Sequence, residues 1–434
     1  MNFIHTSDLH LGYAQYGLEE RFRDYARAFQ SVIKYAIDHK AEFILISGDL
    51  FHKRNINAPT YFQAYKVLKE LKEKSPYTQV YAIEGNHDLA FHADRNSWLE
   101  ILNSQGLLRL IRIKEAGELK LMGDHVELDN IRIFGVRYIG ANTTSSILRI
   151  YDEIKKIEYE RGKKFTILMM HFGLEGQVKQ SEAGEIPYSS LMPLKEVVDY
   201  LALGHYHMQY EMGGWIFNPG SIEMISMNEY GLPKGFYHVK DSGAKLITPV
   251  TRSIRRIKLD ISGIETPEAL YLSIGNILER QPATLSDNKP LVELLLYGEL
   301  IFPKSDIDID MIKKMLDVEF LPLSSEVKIE KSNSQYTVNE GDIRGLSREQ
   351  IELRVFSERV KLNARYRDDA DAIVNTMIEV KKKAAAGIEE AEIRTDLRWC
   401  FEKLCSPAPG TFENGGKKEA TQQTLLSSMK GDLC

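Results

Sequence analysis

Cysteine is scarce in this chain, and its scarcity excludes several kinds of protein. The 434 residues include three cysteines, and all of them lie near the C-terminus, at Cys400, Cys405 and Cys434. Three clustered cysteines do not make a disulfide framework, and their spacing is not that of a paired metal site. We therefore expect a reducing compartment, and any metal has to be bound through nitrogen and oxygen ligands.

Long apolar runs and an excess of positive charge are also missing. No run approaches the roughly 18 apolar residues that a membrane helix needs, and the N-terminus lacks the basic and apolar segments of a secretory signal. We therefore predict a soluble cytoplasmic protein without a membrane partner. The formal net charge of −6 gives no support to nucleic-acid binding through bulk charge, so any such contact has to use a local basic cluster.

Short runs of apolar and β-branched residues recur through the first half of the chain and end in polar or glycine-containing turns. Such runs are typical of buried strands. They cover residues 2–6, 42–47, 79–83, 131–138, 165–170 and 199–203. Between the first two runs, apolar residues from Phe22 to Ile37 follow the three-and-four spacing of an amphipathic helix. Strand, helix and strand in this order predict an α/β fold.

Two further helices are predicted at residues 58–74 and 94–105, the first with Pro59 in its opening turn. Their apolar sets are wide for a single core-facing stripe. Plain core packing explains this width as well as contact with a second subunit does. The apolar residues concerned are Tyr61, Phe62, Tyr65, Leu68, Leu71, Trp98, Leu99, Ile101 and Leu102.

The pattern changes after about residue 250, and the chain is long enough for two or three units. Strands are expected at 255–262, 290–300 and 326–332, with helices at 266–280 and 306–317, which together predict a small α+β unit over 251–335. The charged helical segments 347–362 and 368–404 have little tendency to form a core of their own, so 346–405 is expected to fold against a partner. Residues 406–434 are rich in proline, glycine and polar residues and are predicted to be a disordered tail.

Residues suited to metal binding form five clusters, and each cluster directly follows one of the strand-like runs. Open α/β folds gather their binding sites at the carboxyl ends of the strands. A lone histidine after a strand is weak support, because a histidine in that place is more often a core residue. The ordered series is what favours a metal site. The clusters are Asp8 with His10, Asp49 with His52, Asn86 with His87 and Asp88, His171, and His205 with His207.

Seven of these residues make two sets of metal ligands that share one carboxylate. One ion takes Asp8, His10, Asp49 and His207, and the other takes Asp49, Asn86, His171 and His205. Mixed carboxylate and imidazole ligands suit manganese, iron or zinc better than calcium. A bridged pair of this kind hydrolyses phosphoesters with an activated water as the nucleophile.

Two histidines of the clusters are in neither ligand set, and we expect them to act on the substrate. His87 is the natural general acid for the departing oxygen, with Asp88 as the expected hydrogen-bond partner that orients its ring. His52 is expected to orient the phosphate. The histidines outside the clusters have packing or surface roles by default, and they are His5, His39, His92, His125 and His238.

The motifs DxH, GDxxH, GNHD, a single histidine and GHxH, in this order, resemble those of the calcineurin-like metallophosphoesterase superfamily over roughly residues 1–240. The details SDLHLGY, GDLFH and GNHD are similar to those of the archaeal "meiotic recombination eleven" nucleases and their SbcD relatives. The resemblance implies a four-layer β-sandwich flanked by helices over 1–250, a DNA-capping domain at 251–335, and a helical segment at 346–405 that docks on a coiled-coil ATPase. It also implies a homodimer through the helices at 58–74 and 94–105.

For the site, the resemblance implies two Mn²⁺ ions per chain, with Mg²⁺, Fe²⁺ or Zn²⁺ as alternatives. The implied ligands are Asp8, His10, Asp49, Asn86, His171, His205 and His207. His87 is the implied catalytic histidine, and His52 is implied to position the substrate.

The function expected from these observations is a manganese-dependent DNA nuclease that trims double-stranded ends and cuts single strands and hairpins in double-strand break repair, close to the nucleoid. Two alternatives stay open: a phosphodiesterase for cyclic nucleotides, and a subunit that mainly tethers DNA ends. Lys53 and Arg54, beside His52, are the candidate DNA contacts. A second basic cluster, Arg252 to Lys258, is a weaker candidate, because a charge cluster is usually a solvated face.

Overall fold

The computed structural model describes residues 1–90, 96–111, 125–177, 185–241, 243–281, 288–322, 328–331, 347–361, 370–388, 394 and 397. The chain divides into two compact units. The first is Met1–Gly298 with Pro303–Glu330, and the second is Glu299–Phe302 with Lys331–Cys434. A domain boundary at residue 250 remains a prediction, and the predicted tail at 406–434 lies outside the described residues.

The strands and helices are numbered in chain order. The strands are β1 (Asn2–Thr6), β2 (Phe43–Ser47), β3 (Gln79–Ile83), β4 (Arg109–Leu110), β5 (Val126–Glu127), β6 (Ile131–Gly135), β7 (Phe165–Met169), β8 (Tyr200–Ala202), β9 (Tyr210–Met212), β10 (Ile216–Asn218), β11 (Phe236–Lys240), β12 (Gly243–Ile247), β13 (Ile254–Asp260), β14 (Leu291–Gly298), β15 (Leu321–Pro322) and β16 (Lys328–Lys331). The α-helices are α1 (Glu19–Asp38), α2 (Ala58–Lys74), α3 (Trp98–Ser104), α4 (Thr143–Arg161), α5 (Pro267–Glu279), α6 (Ile309–Asp317), α7 (Arg348–Lys361) and α8 (Ala370–Ala385).

The first sheet has the strand order β12-β11-β1-β2-β3-β4. Strands β1 to β4 are parallel to one another, and β11 runs antiparallel to β1. Strand β2 (FILIS) is buried along its whole length, as is usual for a parallel strand covered on both faces. Helices α1, α2 and α3 pack on one face of this sheet and bury its apolar side chains.

The second sheet has the order β5-β6-β7-β8-β10-β9. Its central strands β6, β7, β8 and β10 are parallel, and α4 packs on its outer face. The inner faces of the two sheets share one apolar core, in which Phe3 and Phe43 of the first sheet meet Ile167 and Tyr200 of the second. Helices, sheet, sheet and helix therefore form four layers, which confirms the predicted α/β architecture.

Local capping residues set where two helices begin. Asn57 accepts a hydrogen bond from the backbone amide of Thr60 at 3.0 Å, so α2 begins at Ala58 as the sequence predicts. Helix α3 begins at Trp98 rather than near residue 94, because Glu100 accepts from the backbone amide of Ser97 at 2.8 Å and closes the first turn there. Residues 91–95 lie outside the described part of the chain.

A small four-stranded sheet follows, in which β14 runs parallel to both β13 and β15 and also pairs with β16. Helices α5 and α6 start at the capping side chains of Thr266 and Asp308, so α6 begins three residues later than predicted. Arg252 fastens the start of this region to α1, because its guanidinium donates to the Asp24 carboxylate at 2.6 and 2.9 Å.

The second unit contains α7 and α8, which are joined by an ion pair of 2.6 Å between Glu352 and Lys381. The helix predicted over 368–404 ends at Ala385. Gly387 has a φ of +73°, and the amide of Ile388 donates to the carbonyl of Lys383, which is the glycine-based helix stop expected at a C-terminus. Among the residues that the structure describes, no helix is both long enough and apolar enough to cross a bilayer.

Candidate metal centre

The predicted ligands lie at the carboxyl ends of strands in both sheets. The first sheet supplies Asp8, His10, Asp49 and Asn86, which follow β1, β2 and β3. The second sheet supplies His171, His205 and His207, which follow β7 and β8. The two sets face each other, so all seven side chains come together at one edge of the sandwich.

Asp49 lies between the two sets. Its Oδ2 is 3.3 Å from Nε2 of His171 and 3.9 Å from Nε2 of His10. Its Oδ1 accepts from the backbone amide of His87 at 2.9 Å. Asp49 is almost fully buried, and this central place is the one that a bridging carboxylate requires.

The remaining ligand atoms continue the cluster on both sides of Asp49. Asn86 Oδ1 lies 3.2 Å from Nε2 of His171 and 3.1 Å from Nδ1 of His205. On the other side, Nε2 of His10 faces Nε2 of His207 at 3.1 Å. The Asp8 carboxylate accepts from the backbone amide of His205 at 3.1 and 3.2 Å.

This donor set fits divalent cations. Three groups of side chains hold their ligand atoms within 4.8 Å of one another: Asp8 with His10 and His207, Asp8 with Asp49 and His171, and His10 with His52 and His87. Two carboxylates and several ring nitrogens point their lone pairs into one buried space, where lone pairs without a cation repel each other. The residues present therefore suit a divalent metal pair.

The backbone at the ligands is strained. Asp8, His10, Asp49 and His205 have φ values of 51°, 45°, 51° and 98°, in the left-handed region that residues other than glycine rarely adopt. Six described non-glycine residues have a positive φ, and four of them are these ligands. Such strain is concentrated at functional sites, where surrounding contacts offset its cost.

Glycine next to the ligands allows the loops that carry them to approach closely, within the first sheet at Gly85 and between the two sheets at Gly204. A Cβ atom on Gly85 would lie 2.1 Å from Oδ1 of Asp49, and one on Gly204 would lie 2.3 Å from the carbonyl oxygen of Ser47. Both distances are far inside van der Waals contact. The glycines that precede Asn86 and His205 in the motifs are therefore required by close packing.

Two of the histidines have a second partner that fixes the ring. Nδ1 of His171 donates to the carbonyl of Ser47 at 2.7 Å, and Nδ1 of His207 donates to Oε1 of Glu229 at 2.9 Å. In both rings Nε2 is left as the atom that faces the cluster. The sequence analysis missed Glu229, which lies in a polar stretch without a motif.

His87 and His52 lie beside the ligands, and the structure corrects one expectation about them. Nδ1 of His87 donates to the backbone carbonyl of His52 at 2.7 Å. Asp88, the predicted partner of His87, instead accepts from the backbone amides of Leu50, Phe51 and Gly85. Asp88 therefore holds the loops after β2 and β3 together, and the loop that carries His52 orients the catalytic candidate.

The electrostatics of the centre differ between its histidines. Burial, together with His171 near His205 and His87 near His52, lowers the pKa of both His205 and His52 to about 4. Burial alone would lower the pKa of His171 too, but the Asp49 and Asp8 carboxylates outweigh it and raise the pKa to about 9. The carboxylates thus attract positive charge, while the neutral rings are in the form that binds metals.

The basic residues that are predicted to contact DNA differ in exposure and in whether other groups of the protein already bind them. Lys53 and Arg54 are exposed, and Lys53 lines an open cavity of about 300 Å³ together with His52. Arg54 donates from Nε to the carbonyl of Asn86 at 3.0 Å. In the second basic cluster, Arg252 is held by Asp24 and Arg256 by Glu293, so these two cations are already engaged by carboxylates.

Comparisons with known proteins agree with this geometry. Residues 1–209 match the family model described as calcineurin-like phosphoesterase. The DNA double-strand break repair protein Mre11 of Archaeoglobus fulgidus is 26% identical over 304 residues, which are 63% of this chain and 65% of the relative. The protein of the same name from Methanocaldococcus jannaschii is 30% identical over 257 residues, 57% of this chain and 64% of the relative. That of Sulfolobus acidocaldarius is 26% identical over 310 residues, 69% of this chain and 75% of the relative.

The match spans less than two thirds of the Archaeoglobus and Methanocaldococcus proteins. The phosphoesterase model, in contrast, includes the ligand positions from Asp8 to His207. Residues 1–209 are therefore similar to the calcineurin-like phosphoesterases, and the chain is similar to archaeal Mre11 proteins over more than half of its length.

Proposed function

We propose that this protein is a manganese-dependent nuclease that processes DNA ends in double-strand break repair, as an exonuclease on double strands and an endonuclease on single strands and hairpins. The observation that carries the proposal is the convergence of seven candidate ligand side chains from two sheets, next to His87, which belongs to neither ligand set. The names of the archaeal relatives supply the substrate class, since they are double-strand break repair proteins.

In this proposal Asp8, His10, Asp49 and His207 would hold one ion, and Asp49, Asn86, His171 and His205 would hold the other. A bound metal pair supplies Lewis acidity toward the phosphate oxygens and an activated water. Mn²⁺ is the ion that this mixture of imidazole and carboxylate ligands suits, with Mg²⁺, Fe²⁺ and Zn²⁺ as alternatives.

The chain's own histidines handle the proton and the substrate. His87 donates through Nδ1 to the His52 carbonyl, so its Nε2 is the atom available to protonate the departing oxygen. The His52 ring stacks on Tyr13 with 3.9 Å between ring centroids. This stacking holds the His52 side chain at the edge of the centre, where we assign it to positioning the scissile phosphate.

Contacts to DNA are assigned to the exposed Lys53 and Arg54. Both would touch phosphate and sugar rather than base edges, which predicts little sequence specificity. We further propose that 1–250 is the nuclease domain, that 251–335 caps the DNA, and that 346–405 docks on a coiled-coil ATPase. An intracellular location at the nucleoid is part of the same proposal.

Self-association is assigned to α2 and α3. Phe62 and Ile101 are exposed, and Tyr61, Tyr65 and Trp98 are only partly buried. In this aromatic surface, which spans α2 and α3, Tyr61 lies 5.6 Å from Trp98 and Phe62 lies 6.4 Å from Tyr65 between ring centroids. Such a surface is typical of a subunit interface, and we propose that it forms a homodimer.

The deciding experiment compares substrates. Purified protein is incubated with linear double-stranded DNA, hairpin DNA and a cyclic nucleotide in the presence of Mn²⁺, Mg²⁺ or a chelator. Asp49→Ala serves as the inactive control, because it removes the carboxylate shared by both sites. The proposal predicts Mn²⁺-dependent cleavage of both DNA substrates, none with chelator, and none by the variant.

Other outcomes would select the alternatives. Hydrolysis of the cyclic nucleotide alone would overturn the DNA assignment while keeping the metal-dependent phosphodiesterase chemistry. Tight DNA binding without cleavage under any metal would favour a tethering subunit. Cleavage that persists in Asp49→Ala would point to a contaminating nuclease.

A further inference from the structure

Glu229 lies behind the metal centre and contacts one of its ligands. Its Oε1 accepts from Nδ1 of His207 at 2.9 Å, and its Oε2 accepts from the backbone amide of Ile225 at 3.0 Å. The side chain is 12% exposed. Both carboxylate oxygens are therefore committed to fixed partners rather than to water.

Lys234 fixes both members of this pair. Its Nζ donates to Oε2 of Glu229 at 2.5 Å, to the backbone carbonyl of His207 at 2.9 Å and to the hydroxyl of Ser221 at 2.8 Å. The largely buried Lys234 ammonium thus binds both the backbone carbonyl of His207 and the Glu229 carboxylate that accepts from the His207 ring. The His207 ring consequently has little freedom to turn away from the cluster.

Arg256 also fixes the loop that carries Glu229. Glu229 ends a short 3₁₀ turn, Met227–Glu229, and Arg256 donates to the Met227 carbonyl at 2.9 Å. The Arg256 guanidinium also lies 4.9 Å from the centre of the Tyr230 ring. Residues on both sides of Glu229 are therefore anchored, which keeps the carboxylate in place for His207.

The partner of His207 differs from that of His171. His171 donates to a neutral backbone carbonyl, that of Ser47, whereas His207 donates to a charged carboxylate. A carboxylate fixes the ring tautomer in the same way, but it also raises the electron density of the ring and its strength as a metal ligand. The two ends of the centre are therefore built to bind metal unequally.

We propose that Glu229 is a positioning residue that strengthens the binding of one metal ion, the one held by Asp8, His10 and His207. The inference rests on the proposed function for the metal centre itself. It adds a prediction of which ion depends on Glu229, a residue that lies on a loop outside the ligand motifs.

The test counts bound Mn²⁺ by calorimetry and by the electron paramagnetic resonance signal of the free ion, using full-length protein stripped with chelator. Glu229→Ala is expected to bind one Mn²⁺ about 10–100-fold more weakly and the other with unchanged affinity. Glu229→Gln keeps an acceptor oxygen but loses the charge, so it should weaken the same ion by a smaller factor. Glu127→Gln is the matched control, because Glu127 is also partly buried and paired with cations, but lies away from the centre.

The thermal midpoint of the metal-free protein separates folding from binding. A variant that folds as well as wild type but loses affinity for one ion supports the proposal, and activity that recovers at high Mn²⁺ supports it further. Unchanged affinity for both ions, or an equal loss for both, overturns it. If Glu229→Ala fails to fold, Glu229→Gln decides alone, and wild-type affinity for both ions in that variant overturns the proposal. Wild-type protein that binds no Mn²⁺ overturns the proposed function itself.

Discussion

The two six-stranded sheets contribute different chemistry to the same centre. The first sheet supplies the oxygen ligands and one imidazole, and the second supplies imidazoles alone. The oxygen ligands are Asp8, Asp49 and Asn86, and the imidazoles of the second sheet are His171, His205 and His207. Neither sheet holds a complete site, so the geometry of the metal centre depends on how the two sheets pack.

The two sheets also fix their ligands in different ways. In the first sheet Asp8, His10 and Asp49 all have left-handed φ values, whereas in the second sheet His205 is the one ligand with a positive φ. In the second sheet His171 and His207 are held through the far side of the ring, by Ser47 and Glu229. The carboxylates of Asp8 and Asp49 accept hydrogen bonds from backbone amides, whereas an imidazole has a second nitrogen through which it can be oriented.

The largest effect is expected from His87→Ser, which tests the proposed role of a first-sheet loop in catalysis. The proposed acid lies on the loop after β3, and its removal is expected to lower the rate of DNA cleavage by about 10²–10⁴-fold, the usual contribution of a general acid. Metal content and DNA affinity should stay close to wild type, because His87 is in neither ligand set. Single-turnover cleavage, metal analysis and a DNA-binding titration measure the three quantities.

His39→Ser is the control for this variant, since His39 is exposed at the end of α1, away from the centre. It should cleave DNA at the wild-type rate. Loss of bound metal in His87→Ser would remove His87 from the role of acid and place it among the ligands. A rate within a few-fold of wild type would leave leaving-group protonation to another residue.

The junction between the sheets is tested by Gly204→Ala. The new Cβ would lie 2.3 Å from the Ser47 carbonyl and 2.8 Å from the Ser7 Cβ, both on the first sheet, so the methyl group has to push the sheets apart. We expect a loss of about 1–3 kcal/mol in the free energy of unfolding and weaker metal binding. Chemical denaturation of the metal-free protein and Mn²⁺ titration give the two values.

Gly275→Ala makes the same chemical change where space is available. Gly275 lies in α5, and its nearest neighbour would be the Met315 Cε at 3.8 Å, an ordinary contact. Because alanine favours a helix over glycine, this variant should gain about 0.5–1 kcal/mol. Equal stability of the two variants would show that the sheets tolerate separation at Gly204.

Much of the first sheet and its loops could be predicted from sequence because the signals there are local. The continuous apolar runs gave β1 and β3 with their observed bounds, and β2 within one residue. Strands β4, β11 and β12 were missed. Strand β12 (GAKLI) is a partly exposed edge strand that starts with glycine, and such a strand lacks the buried apolar run on which prediction depends.

The partners of the histidines could not be predicted for a different reason. His87 is oriented by the backbone carbonyl of His52, and every residue has a backbone carbonyl, so residue types carry no signal for it. Glu229 contacts a ligand 22 positions earlier in the chain and belongs to no motif. Both contacts depend on tertiary structure, which brings together loops that are distant in sequence.

The smallest effect on activity is expected from the helices that cover the two sheets. On the first sheet, Phe62 of α2 is 61% exposed, and on the second, Leu148 of α4 is 64% exposed. Phe62 belongs to the aromatic surface that spans α2 and α3, whereas Tyr159, the next exposed large apolar residue of α4, is eleven positions from Leu148, which is about 16 Å along a helix. The dimer proposal therefore predicts different results for Phe62→Glu and Leu148→Glu.

Phe62→Glu should raise the dissociation constant of the dimer by about 30-fold or more, because an aromatic hot-spot residue contributes about 2 kcal/mol to an interface. Leu148→Glu should leave it unchanged, although it introduces the same charge at a side chain of similar exposure. Analytical ultracentrifugation over a range of protein concentrations measures both constants, and cleavage of short DNA checks that each metal centre is intact. A wild-type protein that remains monomeric, or equal weakening by the two substitutions, would contradict an interface on α2 and α3 and leave the exposed aromatic surface there for a different partner.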